Sequence, residues 1–303
     1  MNRIHCVALA VALAVVAGAA AAQQARDFSQ VEINTTDLGH RTYMLAGEGG
    51  NMTAMVAADG VLLVDGEFLP LHDKIRAAVA ALSPQPIRYL VNAHFHGDHS
   101  GGNAGFAAEG TLVVAQVNVR NRLAAGTTNG LTGAKTPPAV PTALPSETYT
   151  ETMTLKLKDR SARLGHNAKS HTDGDTYVYI ADANVLATGD IVTLGTRYPN
   201  IDFANGGSID GMIAGVDAYL KLADDTTRIV PGHGPLIGKA TLVEYRAMLV
   251  AARERIAKLV ADGKSESEAV AARPFADFDA KIGANEQASA NFVRVIYNSL
   301  KRS

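Results

Sequence analysis

The stretch Val91-Asn92-Ala93-His94-Phe95-His96-Gly97-Asp98-His99 places four potential metal ligands within six consecutive positions. If the chain up to Asn92 is a strand, side-chain alternation sends His94 and His96 to the same face. Gly97 then lets the backbone turn, so that Asp98 and His99 aim at a point a few ångströms away. This spacing predicts a dinuclear metal site. Imidazole and carboxylate suit zinc best, with iron or manganese as the alternatives.

Upstream of that stretch, residues 87–91 are an apolar run entered through Pro84 and Pro86, which predicts a strand delivering the motif. Residues 71–82 carry Ile75, Ala78, Val79 and Leu82 at helical spacing. Residues 51–57 and 61–64 predict a hairpin around Asp59-Gly60, so a βαβ unit precedes the motif. Short strands are expected at 31–33 and 42–45. Downstream, 111–115 predicts a strand and 117–124 a short helix. Further strands are expected at 152–157, 177–180, 185–188 and 228–230. Helices are expected at 209–222, 240–261, 265–272 and 291–300. In the second of these, Leu242, Tyr245, Leu249 and Ile256 form an apolar stripe, expected to pack in the core. Residues 126–145 have no periodicity, and a stretch of that length inside a compact domain predicts either a segment lying partly over the site or a flexible surface loop.

Three later positions extend the ligand set. His171 stands in Ser170-His171-Thr172-Asp173-Gly174-Asp175, and His233 in Pro231-Gly232-His233-Gly234. Between them, Asp190 closes the apolar run Val185-Leu186-Ala187-Thr188-Gly189-Asp190. Each lies beside a strand-like run and a glycine-bearing turn, where functional side chains collect at a sheet rim. His40, His72 and His166 fit no such position. Asp175 is expected to brace the loop around His171.

The set HxHxDH, a histidine in an HTxG context, a Gly-Asp and a late GHG resembles the metallo-β-lactamase superfamily. The likeness runs from about Asn51 to about Pro235. It implies an α/β four-layer αββα sandwich with the metals at one edge of two sheets. It implies that His94, His96 and His171 hold a first metal, that Asp98, His99 and His233 hold a second, and that Asp190 bridges them. Asp65, at the end of Val61-Leu62-Leu63-Val64-Asp65, matches the aspartate that supports the site from behind a ligand. The implied activity is that of a two-zinc hydrolase, in which activated water attacks an amide or ester carbonyl of a small molecule. Asp98 would orient the water and accept its proton. β-Lactams are one substrate class; lactones, esters and thioesters, as in glyoxalase II, are the alternative. An iron-dependent redox enzyme and a non-catalytic metal-binding protein are further readings.

Bulk properties narrow the partners. With 47% hydrophobic and 19% charged residues, the chain has the composition of a globular protein with a core. A formal net charge of −2 and no Lys/Arg-rich stripe argue against nucleic acid, leaving a small-molecule substrate. Arg3, a small-apolar run from Val7 and the Ala20-Ala21-Ala22 site predict a signal peptide over 1–22, hence periplasmic or secreted export and no membrane association after cleavage. Residues 23–303 then form a single domain. The one cysteine, Cys6, falls inside that leader, so the expected mature chain has neither disulfides nor a thiolate ligand. Several secreted β-lactamases of the superfamily use a cysteine where Asp190 stands, which aligns this chain with the cysteine-free members.

Overall fold

The computed structural model describes residues 27–302. The expected leader, with Cys6, lies outside them. Sheet one is built from β1 (Asn34–Asp37), β2 (Thr42–Ala46), β3 (Asn51–Ala57), β4 (Gly60–Val64), β5 (Ile87–Val91), β6 (Leu112–Gln116) and, past the small hairpin β7 (Thr127–Thr128) and β8 (Lys135–Thr136), β9 (Glu147–Tyr149). Its spatial order is β1-β2-β3-β4-β5-β6-β9, antiparallel up to β4 and parallel from there on. Sheet two follows as β10 (Thr152–Lys156), β11 (Ser161–Asn167), β12 (Asp175–Ile180), β13 (Val185–Ala187) and β14 (Arg228–Val230), in that order, with only the last pair parallel.

Strand residues sort by parity into two cores. In β4, Leu62 and Val64 face the second sheet, whereas Val61 and Leu63 face the outer helices. Val91 and Val114 repeat the inner choice, and Leu90 and Val113 the outer one. Across the gap, Val178, Ile180 and Val185 meet the first sheet, while Tyr177, Leu186 and Ile229 turn the other way. Burial on both faces is why these strands read as unbroken apolar runs instead of alternating ones.

Helices close both outer faces. On the first sheet lie α1 (His72–Leu82), the single turn α2 (Gly97–Ser100), α3 (Asn103–Ala108) and α4 (Val117–Ala125). On the second lie α5 (Ile209–Leu222), α6 (Lys239–Ala261), α7 (Glu266–Ala271), α8 (Ala276–Ile282) and α9 (Glu286–Arg302). The stripe Leu242, Tyr245, Leu249 and Ile256 is buried in that second helical core, as its spacing predicts. Ser265 and Glu268 form a capping box that starts α7. The architecture is therefore helix, sheet, sheet, helix. No helix among the described residues is long and apolar enough to cross a membrane.

Two expectations shift. The strand expected at 31–33 forms at 34–37 instead; Val31 and Ile33 only rest against the first helical core, and it is the exposed Asn34–Asp37 that pairs with β2. Residues 126–145 are also not structureless, since β7 and β8 pair and Pro141–Ala143 makes one 3-10 turn.

One buried cation ties the two sheets. Arg160, in the turn between β10 and β11, pairs through the Nε–Nη2 edge of its guanidinium with both oxygens of Asp182 and donates to the carbonyls of Arg41 and Val56 and to Thr42 Oγ1. Truncation would leave those buried acceptors bare. Arg160→Ala is therefore expected to cost about 3 kcal/mol of unfolding free energy, read from the denaturant midpoint.

Candidate metal centre

The chain ends of β4, β5, β13 and β14, with the loop between β11 and β12, meet at one rim of the sandwich. After Val91 the backbone leaves the sheet, so His94 and His96 are brought together by a loop and not by strand alternation. Asn92 and Asn103 lock that loop by exchanging side-chain amide hydrogen bonds of 2.9 and 2.8 Å. Gly97 has open space where a Cβ would sit and opens the short turn α2. Its freedom is not what aims Asp98 and His99; the helical turn does that, with the amides of His99 and Ser100 both donating to the His96 carbonyl.

Two groups of side chains converge. His94 Nε2, His96 Nδ1 and His171 Nε2 lie 3.0, 3.0 and 3.2 Å from one another. Asp98, His99 and His233 make the second group, with Asp98 Oδ2 3.5 Å from His233 Nε2 and 3.9 Å from His99 Nε2. Asp190 stands between them. Its Oδ2 lies 4.0 Å from His94 Nε2 and 3.7 Å from His171 Nε2, and its Oδ1 lies 3.2 Å from His99 Nε2 and 3.3 Å from His233 Nε2. All seven residues singled out in the sequence thus share one site.

The far side of each ring fixes which nitrogen faces inward. His99 Nδ1 donates to Asp65 Oδ2 at 2.8 Å, and Asp65 Oδ1 in turn accepts the Ala93 amide at 2.7 Å. His171 Nδ1 donates to the Asn200 carbonyl at 2.8 Å. His96 Nε2 donates to Asp202 Oδ2 at 3.0 Å, and Asn205 holds that carboxylate from behind. With those protons outside, the inward nitrogens of His96 and His171 are lone pairs. Lone pairs 3.0 Å apart repel unless a cation sits among them. His99 Nε2 and Asp190 Oδ1 are moreover buried without a hydrogen-bond partner among the described residues. A donor set of imidazoles and carboxylates with such orphaned atoms fits a metal.

Charges follow the same layout. Burial, reinforced by the neighbouring imidazoles, holds His94 well below the ordinary histidine range. For His99 burial opposes the charge, but the carboxylates of Asp190, Asp65 and Asp98 outweigh it and raise the ring. Asp190 is the mirror case: burial would neutralise it, yet His99 and His233 keep it ionised.

Several supporting residues carry no sequence signal. Asp202 is one; nothing in Ile201-Asp202-Phe203 marks it, and it lies 106 positions from His96. Glu67 is buried and accepts the amides of Gly49 and Gly50, which line the Asp98 and His233 side. Asn51 donates to the carbonyls of Pro231 and Gly234 and so clamps the His233 loop. Asp175 accepts the amide and hydroxyl of Thr172 and braces the loop of His171, as expected. His166 hydrogen-bonds the Asp173 carbonyl and His72 packs on the Phe106 ring, both outside the cluster. Tyr198 turns its hydroxyl to Asp279, away from the rim. Residues 126–145 touch the periphery, where the Thr128 carbonyl accepts from Asn205.

Since Asp202 sets the His96 ring, Asp202→Ala is expected to weaken metal affinity about 10–100-fold while the protein stays folded. Competition against a chromophoric chelator measures this. An unchanged affinity would show that the ring is held by packing alone.

Comparison with known proteins identifies the family and the fold. The sequence model of the metallo-beta-lactamase superfamily matches residues 45–233. Among solved structures, a metallo-beta-lactamase from Pontibacter korlensis is similar at 16% identity and a TM-score of 0.59, covering 72% of this chain and 99% of that one. A metallo beta lactamase from Hirschia baltica has 19% identity and a TM-score of 0.58, covering 72% and 98%. The DIM-1 metallo-beta-lactamase has 15% identity and a TM-score of 0.57, covering 74% and 100%. At such identities the structures speak for the fold, and the family match spans more than half of the sequence. The chain belongs to the metallo-beta-lactamase superfamily.

Proposed function

We propose that the protein is a two-zinc hydrolase acting on an amide or ester carbonyl of a small molecule, with β-lactams among the candidate substrates. The observation that carries this reading is Asp190, whose two oxygens each face a different set of nitrogens. A carboxylate used by one ion would not need both. On this reading His94, His96 and His171 hold one zinc, Asp98, His99 and His233 the other, and Asp190 both. When bound, such a pair makes a water acidic near neutral pH and polarises a carbonyl.

The chain's own residues do the rest. Asp65, Asp202 and the Asn200 carbonyl hold the outer ring protons and so keep ligand lone pairs inward. Asp98 is the most exposed of the seven, with 29% of its side chain open. Its carboxylate is therefore positioned to orient a water and accept its proton. Glu67 and Asn51 hold the 47–50 turn and the His233 loop in place beside that carboxylate. Lactone, ester and thioester hydrolysis is the second reading. The carboxylate at 190 supports it, because it aligns the chain with the cysteine-free members. The leader expected over 1–22 adds the proposal of an exported, periplasmic or secreted enzyme.

The test is a metal analysis joined to a substrate panel. Two zinc ions per chain, with turnover of a cephalosporin reporter, a homoserine lactone, an aryl ester or a thioester, are expected. A single iron per chain and no turnover of any of the four would overturn the proposal.

A further inference from the structure

Away from the seven clustered residues, α6, α8 and the segment from Thr193 to Tyr198 line a half-open cavity of about 430 Å³. That volume is in the range of small-molecule sites. Its walls are apolar and aromatic: Leu194, Tyr198, Tyr245, Met248, Phe278 and Ile282. Both tyrosine hydroxyls are engaged elsewhere, Tyr198 donating to Asp279 at 2.6 Å and Tyr245 to the Ile191 carbonyl at 2.9 Å. What they offer the cavity is ring surface. Water held there would find few partners, so an apolar occupant is favoured.

The rim is charged. Arg197 and Lys281 border the cavity and are exposed, and neither side chain has a hydrogen bond or ion pair among the described residues. The neighbouring Arg255 is by contrast already paired with Asp277. One acid, Glu244, shares the rim, its side chain also without a partner among the described residues, and a second, Asp279, stands behind Tyr198 and accepts its hydroxyl. We infer that this cavity binds an amphipathic carboxylate, its apolar body among the aromatic walls and its head at Arg197 and Lys281. The floor touches the metal rim, because the Leu194 amide donates to the His233 carbonyl at 3.0 Å. The site stands whether or not the hydrolytic reading does.

Calorimetric titration of the zinc-loaded protein with decanoate and with decanol tests it. Decanoate is expected to bind about tenfold or more tighter than decanol, the worth of one charge-assisted contact. Ala251 also lines the cavity, and Ala251→Trp should fill it and weaken both ligands about tenfold or more. The exposed double variant Arg197→Ala, Lys281→Ala should bring decanoate down to decanol and leave decanol unchanged. Decanoate affinity indifferent to both variants would place the carboxylate elsewhere and overturn the inference. If Ala251→Trp fails to fold, the double variant alone decides. Inhibition separates two sources of this chemistry. A raised KM for an aryl ester in the parent protein, absent in Ala251→Trp, marks an arm of substrate or product. An unchanged KM with binding intact marks a separate ligand.

Discussion

Asp190→Asn is expected to bring zinc content from two ions per chain to one or none and to abolish hydrolysis. The change is nearly isosteric, so packing against Gly189 and Ile191 survives. What disappears is a negative charge and one of two oxygens that face separate nitrogen clusters. An asparagine amide turned toward either cluster would aim N–H donors at lone pairs or at the cation, and neither arrangement is favourable. The rate loss should exceed the about 10²–10³-fold that removal of one transition-state donor costs. Metal analysis and steady-state rates on the same preparation check this. Two zinc ions retained at near-parent activity would remove Asp190 from the bridging position.

What could be read from the sequence was whatever is encoded within a few residues. The run Ile87–Val91 is bounded by Pro86 and is apolar apart from Arg88, so its limits are found from pattern alone. Helix α5 is likewise as expected at 209–222, where Ser208 caps it by accepting the Gly211 amide. Strand β11 went unseen. In Ser161-Ala162-Arg163-Leu164-Gly165-His166-Asn167, only Ala162 and Leu164 contribute to the core between the sheets, and the strand exists because β10 and β12 pair on either side. Helix α8 was hidden for a similar reason: it has no side-chain N-cap, and Phe278 only half reaches the core. At the site, the clustered residues could be proposed because HFHGDH is local, because His171, Asp190 and His233 each stand beside a strand-like run and a glycine-bearing turn, and because the resemblance gave them their roles. Asp202, Glu67 and Asn51 could not, since their contacts join positions brought together only by the finished fold.

Gly232→Ala should disable the centre with every ligand still present. A Cβ built at this position overlaps Asp190 Oδ1 and lies 2.7 Å from the Gly189 carbonyl carbon and 2.9 Å from the Asp190 amide nitrogen. Two of those neighbours are backbone, and the Gly232 amide itself donates to the Gly189 carbonyl at 2.9 Å. Gly189 has little room to retreat, because its carbonyl is held by the amides of both Gly232 and Val192 at 2.9 and 3.3 Å. The Asp190 carboxylate is the part able to swing, and swinging withdraws the oxygen that faces His99 and His233. Loss of zinc and a rate loss of about 10²-fold or more are therefore expected, with near-parent far-UV circular dichroism. Gly97→Ala is the matched control, since a Cβ at Gly97 meets nothing within 4 Å although it sits inside the HFHGDH motif. If Gly232→Ala keeps its zinc while Gly97→Ala loses it, the rigid placement of Asp190 against the His233 loop is not what organises the centre.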